Sequence, residues 1–340
     1  MTKTYAVAVV GATGLVGGAM MQVLAQREFP VGRFVPLASA RSAGRTVNFR
    51  GIDYPVEVLD GFDFNGVDIA LFSAGASVSA VHAPRAAAAG AVVIDNTSQF
   101  RYDEDIPLVV PECNPDRIAD YRNRGIIANP NCSTIQLVVA LKPIHGAVGI
   151  ARVNVATYQA VSGAGLSAIQ ALTAGTRAAL AATGAAPAGP EKPIAFNVVP
   201  KIDRLLETGY TKEEMKMFWE TRKILEDPDI MVNATCVRVP VYYGHSEAVH
   251  VETRTKITVP AVQKLLNSAS GITVIDGEMP GDYPTAVTDA ANRDAVFVGR
   301  IREDLTHPRG LNLWVVADNV RKGAALNSVQ IAEILVNRVM

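Results

Sequence analysis

Cys132 stands where covalent chemistry would be expected. It follows Asn129-Pro130-Asn131 and opens an apolar stretch, residues 133–144, that reads as a helix. Pro130 biases Asn129 toward extended backbone, so a strand-like segment turns into the helix at the sulfur. A thiol at a helix N-terminus has its thiolate stabilised by the helix dipole and by free N–H groups. Those same N–H groups can hold an oxyanion when the thiolate adds to a carbonyl. An inert buried cysteine suits the same position, and residue type alone leaves both readings open.

A second constellation lies near the start of the chain. Gly11-Ala12-Thr13-Gly14-Leu15-Val16-Gly17 separates a short β-branched run, residues 5–10, from a helical pattern over 19–26. Glycines let backbone turn tightly and approach a pyrophosphate, and the following helix offers it uncapped N–H groups. The spacing is GxxGxxG, an approximation to the usual dinucleotide fingerprint. A turn that merely packs helix on strand is the other reading. Gly11, Thr13, Gly14, Leu15 and Val16 are the candidate cofactor contacts. The second strand, residues 33–39, leads into Ala40-Arg41-Ser42, with no acid to hold the ribose hydroxyls of NAD. Arg41, with Ser42 beside it, can pair with a 2′-phosphate, which favours NADP. A solvated loop arginine is the alternative.

These groups need a frame. The strands over 5–10, 33–39, 67–73, 91–95 and 125–128 alternate with helices over 19–26 and 77–89, which predicts a doubly wound α/β sheet. After the cysteine the pattern changes. Strands are expected over 151–161, 233–241, 248–258, 295–302 and 311–317, with helices over 167–182 and 212–225. Their polar/apolar alternation predicts an antiparallel or mixed sheet with one exposed face. Residues 185–193, rich in Ala, Pro and Gly, read as a loop. A final helix over 324–339 should return to the first domain. At roughly 100–200 residues per domain the length suits two. The division expected is 1–131, completed by 321–340, and 132–320.

Composition narrows the class. Apolar residues are 49%, charged residues 19% and net charge is −1, so neither a disordered chain nor a nucleic-acid or anionic-membrane binder is indicated. Cys113, Cys132 and Cys236 are too few and too scattered for a disulfide framework or a zinc site, and no metal is expected. The first residues lack a basic segment leading into a long apolar run, and no stretch is long enough to span a bilayer. The expectation is a soluble cytoplasmic protein acting on a small molecule.

Four motifs, in order along nearly the whole chain, give a closer reading. They are the glycine loop, Asn129-Pro130-Asn131-Cys132-Ser133-Thr134, Tyr158-Gln159-Ala160-Val161-Ser162-Gly163-Ala164-Gly165, and Arg238-Val239-Pro240-Val241 followed by Gly244-His245-Ser246. Together they resemble aspartate-semialdehyde dehydrogenase. The resemblance implies a Rossmann-type cofactor domain plus an α+β domain for catalysis and dimerisation, and a homodimer. It implies NADPH-dependent conversion of 4-aspartyl phosphate to aspartate semialdehyde and phosphate, feeding lysine (through diaminopimelate), threonine and methionine synthesis. By the same resemblance Cys132 is the nucleophile, His245 the general acid/base, and Gln159 the residue that orients the substrate. Arg238 is the carboxylate clamp, Arg101 and Lys216 are phosphate ligands, and Glu213 lies near the substrate ammonium. Ser162, Gly163 and Asn319 touch the cofactor near its nicotinamide end. Without it, His245 reads as a turn residue, Gln159 and Arg238 as strand residues, and Glu213 with Lys216 as a surface ion pair on one helical face.

Two related enzymes fit less well. N-acetyl-γ-glutamyl-phosphate reductase would carry an aromatic and a proline soon after the cysteine, where this chain has Ser133-Thr134-Ile135. Glyceraldehyde-3-phosphate dehydrogenase would carry an acid near the second strand. A non-catalytic NADP-binding sensor would have no use for Cys132, Gln159, Arg238 and His245 together.

Overall fold

The computed structural model describes residues 3–181 and 192–339. It divides into two compact units, one formed by Met1–Asn131 with Gly323–Met340, the other by Cys132–Lys322.

The first unit is built on a parallel sheet. Its strands are β1 (Tyr5–Val10), β2 (Val31–Ala38), β5 (Glu57–Val58), β6 (Ile69–Phe72), β7 (Val92–Asp95) and β8 (Ile126–Ala128). They lie in the order β5-β2-β1-β6-β7-β8, and every pairing is parallel. The chain winds one way from β1 to β2 and the other way from β6 onward. The strand order therefore reverses between β1 and β6, where doubly wound sheets bind their ligands. Burial on both faces explains why β1 and β6 read as unbroken apolar runs, as does β7 up to its last residue, Asp95. Helix α1 (Leu15–Gln26) begins four residues before the start read from the sequence. Its first turn is the end of the glycine loop, whose glycines mask the helical pattern. A hairpin of β3 (Thr46–Phe49) and β4 (Ile52–Pro55) was not foreseen. It turns on Arg50 and Gly51, both at positive φ. Helix α2 (Ala76–Ala88) follows β6. The last helix, α7 (Asn327–Arg338), puts Val329, Ile331, Ala332 and Leu335 into the same core as Val7, Met20, Leu24 and Ile94.

The second unit holds a mixed sheet. Its strands are β9 (Ile150–Gln159), β10 (Met231–Arg238), β11 (His245–Thr253), β12 (Ile272–Val274), β13 (Val296–Glu303) and β14 (Gly310–Ala317). Their order is β10-β9-β11-β14-β13-β12. The two outer pairs are parallel and the inner pairings antiparallel. Helix α3 (Cys132–Val148) packs on the sheet with Ile135, Leu137, Val138 and Leu141 buried. It runs past the expected end at residue 144, carrying Pro143 in its last turns. Helices α4 (Leu166–Ala181), α5 (Lys212–Leu225) and α6 (Val259–Ser268) complete the unit. Neither α6 nor β12 was foreseen, both being short. β11 lies at 245–253, not 248–258, so His245 is the first residue of a strand. Residues 153, 155, 157 and 159 of β9 are buried, while Tyr158 on the other face is exposed and packs against Trp314. Most of the expected loop at 185–193 lies outside the described residues.

Candidate active site

The glycine loop of the first unit follows β1 at the reversal of strand order. Gly11 takes φ +90, a conformation that L side chains rarely adopt. At Gly17 a methyl group would stand 2.2 Å from the Gly11 carbonyl oxygen, so a side chain there is incompatible with this turn. No side chain caps α1 at Gly14, which leaves the helix N-terminus open to an anion. Thr13 Oγ1 and Ser42 Oγ are 3.2 Å apart, tying the loop to the turn after β2. Arg41 is exposed in that turn. Tight backbone, open helix end and nearby hydroxyls fit a dinucleotide pyrophosphate and ribose. Arg101, also of this unit, is buried and donates from Nη2 to the Asn96 carbonyl.

The second unit gathers the other candidates. Cys132 begins α3, with its Sγ 3.2 Å from Nε2 of His245. β9 and β11 are antiparallel neighbours, and the ends of β9 and β10 lie beside the start of β11. Topology therefore brings Gln159, Arg238 and His245 to one edge of the sheet. His245 is fully buried, and its Nδ1 accepts from the backbone N–H of Ala160 at 3.0 Å. Burial and the Arg238 charge hold the imidazole well below its usual range, to about 3, against the opposing pull of Glu213. Arg238 Nη1 donates to the Ala160 carbonyl at 2.7 Å. Burial also lowers the guanidinium, opposed by Cys132 and Glu213. Gly163 comes so close that a methyl there would sit 3.0 Å from Arg238 Nη1 and 3.4 Å from the His245 ring.

A polar chain runs from β9 to α5. Thr157 Oγ1 donates to Gln159 Oε1 at 2.8 Å, and Gln159 Nε2 donates to Glu213 Oε1 at 3.1 Å. Glu213 Oε2 in turn accepts from Lys216 Nζ at 2.8 Å. Lys216 also pairs with Asp203 at 3.0 Å. Both carboxylates raise its pKa against the burial that would lower it. Glu213 and Lys216 thus point inward, not to a solvated face. They are placed by the N-terminus of α5, where Thr211 and Glu214 form a reciprocal capping box. Glu214 also accepts from the Cys236 backbone N–H, which fastens α5 to β10. Asn319 bonds the Ser162 hydroxyl and accepts from Gly244 N–H at 2.9 Å, holding together the turns on either side of His245. Cys113 and Cys236 are buried and in no disulfide, and burial pushes the Cys236 thiol up far beyond its usual range.

Three participants escape a motif search. Ala160 acts through its backbone, which residue type does not reveal. Asp203 lies in irregular structure before α5, outside any motif. Glu247 did leave a signal. It shares the buried face of β11 with Val249 and Val251, so a carboxyl falls in register with core residues. It is fully buried, and desolvation raises its pKa well above the carboxylate range. Among the described residues no His/Cys/Asp/Glu group is arranged to hold a metal, and no helix is long and apolar enough to cross a membrane.

Two family models match. Residues 6–121 match the semialdehyde dehydrogenase NAD binding domain, and residues 141–322 match the semialdehyde dehydrogenase dimerisation domain. The chain is 58% identical to aspartate-semialdehyde dehydrogenase 2 of Vibrio cholerae serotype O1 over 336 residues, covering 99% of each chain. It is 51% identical to aspartate-semialdehyde dehydrogenase of Bacillus subtilis, covering 98% of each. Among solved structures, aspartate semialdehyde dehydrogenase II from Vibrio cholerae complexed with ASA superposes with a TM-score of 0.96. That likeness is at 57% identity and covers 100% of both chains.

Proposed function

The chain belongs to the aspartate-semialdehyde dehydrogenase family, and from that premise we propose that it reduces L-4-aspartyl phosphate to L-aspartate 4-semialdehyde and phosphate through a thioester on Cys132. The observation that carries this reading is the pairing of Cys132 Sγ with a buried imidazole at the N-terminus of α3. That environment favours a thiolate.

In this reading the Cys132 thiolate adds to the acyl carbon, and phosphate departs with the C–O bonding pair. Arg101 and Lys216 are its cationic ligands. Gln159 orients the reacting carbonyl, Arg238 clamps the substrate carboxylate, and Glu213 receives the ammonium group. The Gln159–Glu213 bond and the Arg238 contact at Ala160 support this reading. When bound, the dinucleotide supplies a hydride, and the residues that fit it are Gly11, Thr13, Gly14, Leu15, Val16, Arg41, Ser42, Ser162, Gly163 and Asn319. The tetrahedral adduct on sulfur then releases the aldehyde as the C–S bond breaks and the thiolate returns. A thioester makes the reduction feasible because it divides one difficult step into two easier ones.

NADP is the cofactor of this reading, on the strength of Arg41 and the absence of an acid after β2. The protein acts as a homodimer built through the second unit, whose sheet leaves Tyr158 and Met231 exposed. Its place is in the cytoplasm, in the synthesis of lysine through diaminopimelate, and of threonine and methionine. The test is the reverse reaction followed by absorbance. Aspartate semialdehyde, phosphate and NADP should yield NADPH, more slowly with NAD. Quenching during forward turnover should give an acylated peptide containing Cys132. Turnover without that peptide would exclude the covalent route.

A further inference from the structure

We propose that Asn327, Asn129 and Asn96 form a relay of side-chain amides that positions Arg101 as a phosphate ligand, so that the last helix of the chain helps to set the anion subsite. The inference deepens the proposed function and rests on its reading of Arg101. All four residues belong to the first unit. The direction of the relay follows from its far end. The Val109 carbonyl can only accept, and Asn327 Nδ2 lies 3.0 Å from it, which fixes the way the Asn327 amide faces. The same NH2 group donates to Asn129 Oδ1 at 2.7 Å. Asn129 therefore turns its own NH2 the other way, to Asn96 Oδ1 at 2.5 Å. One backbone carbonyl thus orients the side chains in turn. Asn129 and Asn327 are fully buried. An amide that deep costs free energy unless it is paired, and a satisfied network holds its members in one arrangement.

The relay ends on the residue that holds Arg101. Arg101 is buried, and its Nη2 donates to the Asn96 carbonyl at 3.0 Å. The Asn96 N–H donates in turn to the Phe72 carbonyl at 2.9 Å. On one flank the buried Asp95 carboxylate accepts from the Ser79 hydroxyl and from both the N–H and the hydroxyl of Thr97. The Asp95 carbonyl accepts from Asn129 N–H at 2.8 Å. Asn129 therefore holds Asp95 by its backbone and Asn96 by its side chain.

These contacts gather at the carboxyl end of β7, the edge at which doubly wound sheets bind their ligands. An arginine whose acceptor is fixed presents its guanidinium to an anion already in place. One whose acceptor can swing loses affinity to the ordering of its loop. Asn327 supplies the fixed point from α7, 198 residues beyond Asn129, and it falls in none of the four sequence motifs. Its role is to position Arg101 through Asn129 and Asn96, with no contact of its own to the substrate.

Inorganic phosphate, titrated against the full chain and followed by 31P NMR, tests the relay without turnover. Arg101→Leu should weaken phosphate binding by about tenfold or more, and Asn327→Ala by about fivefold. The double variant should bind no more weakly than Arg101→Leu alone, because nothing is left for the relay to position. In the reverse reaction the KM for phosphate should rise in Asn327→Ala, while kcat and the KM for aspartate semialdehyde stay within about twofold of the parent. If Asn327→Ala does not fold, Asn96→Ala cuts the relay at its half-buried end and should give the same loss. Unchanged phosphate affinity in the folded asparagine variant overturns the proposal, as do losses that add in the double variant. Equal losses for phosphate, semialdehyde and dinucleotide would mean a general loosening of the unit and overturn it too. Parental phosphate affinity in Arg101→Leu would instead overturn the reading of Arg101 as a phosphate ligand, and the role of the relay with it.

Discussion

Gly163 lies against His245, close enough that a methyl on it would touch the ring and crowd Arg238. A methyl at residue 163 would sit 3.4 Å from the imidazole and 3.0 Å from Arg238 Nη1, so the turn after β9 and the buried His245 and Arg238 side chains are fitted to a bare backbone. Gly163→Ala should therefore fold, because its neighbours need give only a few tenths of an ångström. It should lose about tenfold in kcat/KM, or about 1.4 kcal/mol of transition-state stabilisation. Steady-state kinetics beside a thermal melt checks this, and unchanged kinetics would show that the pair tolerates displacement.

Cys132→Ser should reduce turnover by about 10³-fold or more. The fold should survive, since sulfur and oxygen differ little in size and the side chain is only partly buried. Dinucleotide binding, read by fluorescence titration, should remain near the parent value because the glycine loop belongs to the first unit.

Gly17→Ala should act in the opposite sense. A methyl 2.2 Å from the Gly11 carbonyl cannot be accommodated without rebuilding the loop. Dinucleotide affinity should fall by at least about tenfold, a loss of about 1.4 kcal/mol. Alkylation of Cys132 should proceed at the parent rate.

Stability should depend on pH through His245 with a definite sign. Its folded pKa of about 3 lies below the ordinary 6.5. Between those values the unfolded chain binds the extra proton. Stability is therefore complete above about pH 6.5 and is lost as pH falls toward 3, by at most about 1.4 kcal/mol per pH unit. Denaturant unfolding between pH 4 and 8 should show that slope, and His245→Gln should flatten it.

Glu247 predicts the reverse slope. Its pKa is raised by burial, so the folded protein holds a proton that the unfolded chain releases above about pH 4.5. That contribution is complete below the ordinary value and fades as pH rises. Glu247→Gln mimics the neutral acid. It should stabilise the protein by about 1 kcal/mol or more at pH 8 and by little at pH 4. Equal effects at both pH values would mean that the carboxyl is not held neutral.

Much of the fold was legible along the chain. β1 and β6 announce themselves because a strand buried on both faces is largely apolar. Helix α5 shows its full extent because its capping residues and its charged face are local signals. The hairpin of β3 and β4 stayed hidden because its strands are short, and half-exposed strands carry little periodicity. Helix α6 was missed for a similar reason. Its pattern spans under three turns and opens with Pro260.

The sequence by itself determined which groups are available: a cysteine opening a helix, a glycine turn after a buried strand, and an imidazole, an amide and a guanidinium in motifs specific enough to indicate the family. Those are properties of residue type and spacing. Only the tertiary structure decided what each group touches. Strand pairing sets His245 against Ala160, the inward face of α5 turns an apparent surface pair into a partner for Gln159, and burial raises the pKa of Glu247. Protonation state and hydrogen-bond direction depend on surroundings drawn from distant segments, and a backbone donor such as Ala160 N–H carries no mark of its own in the sequence.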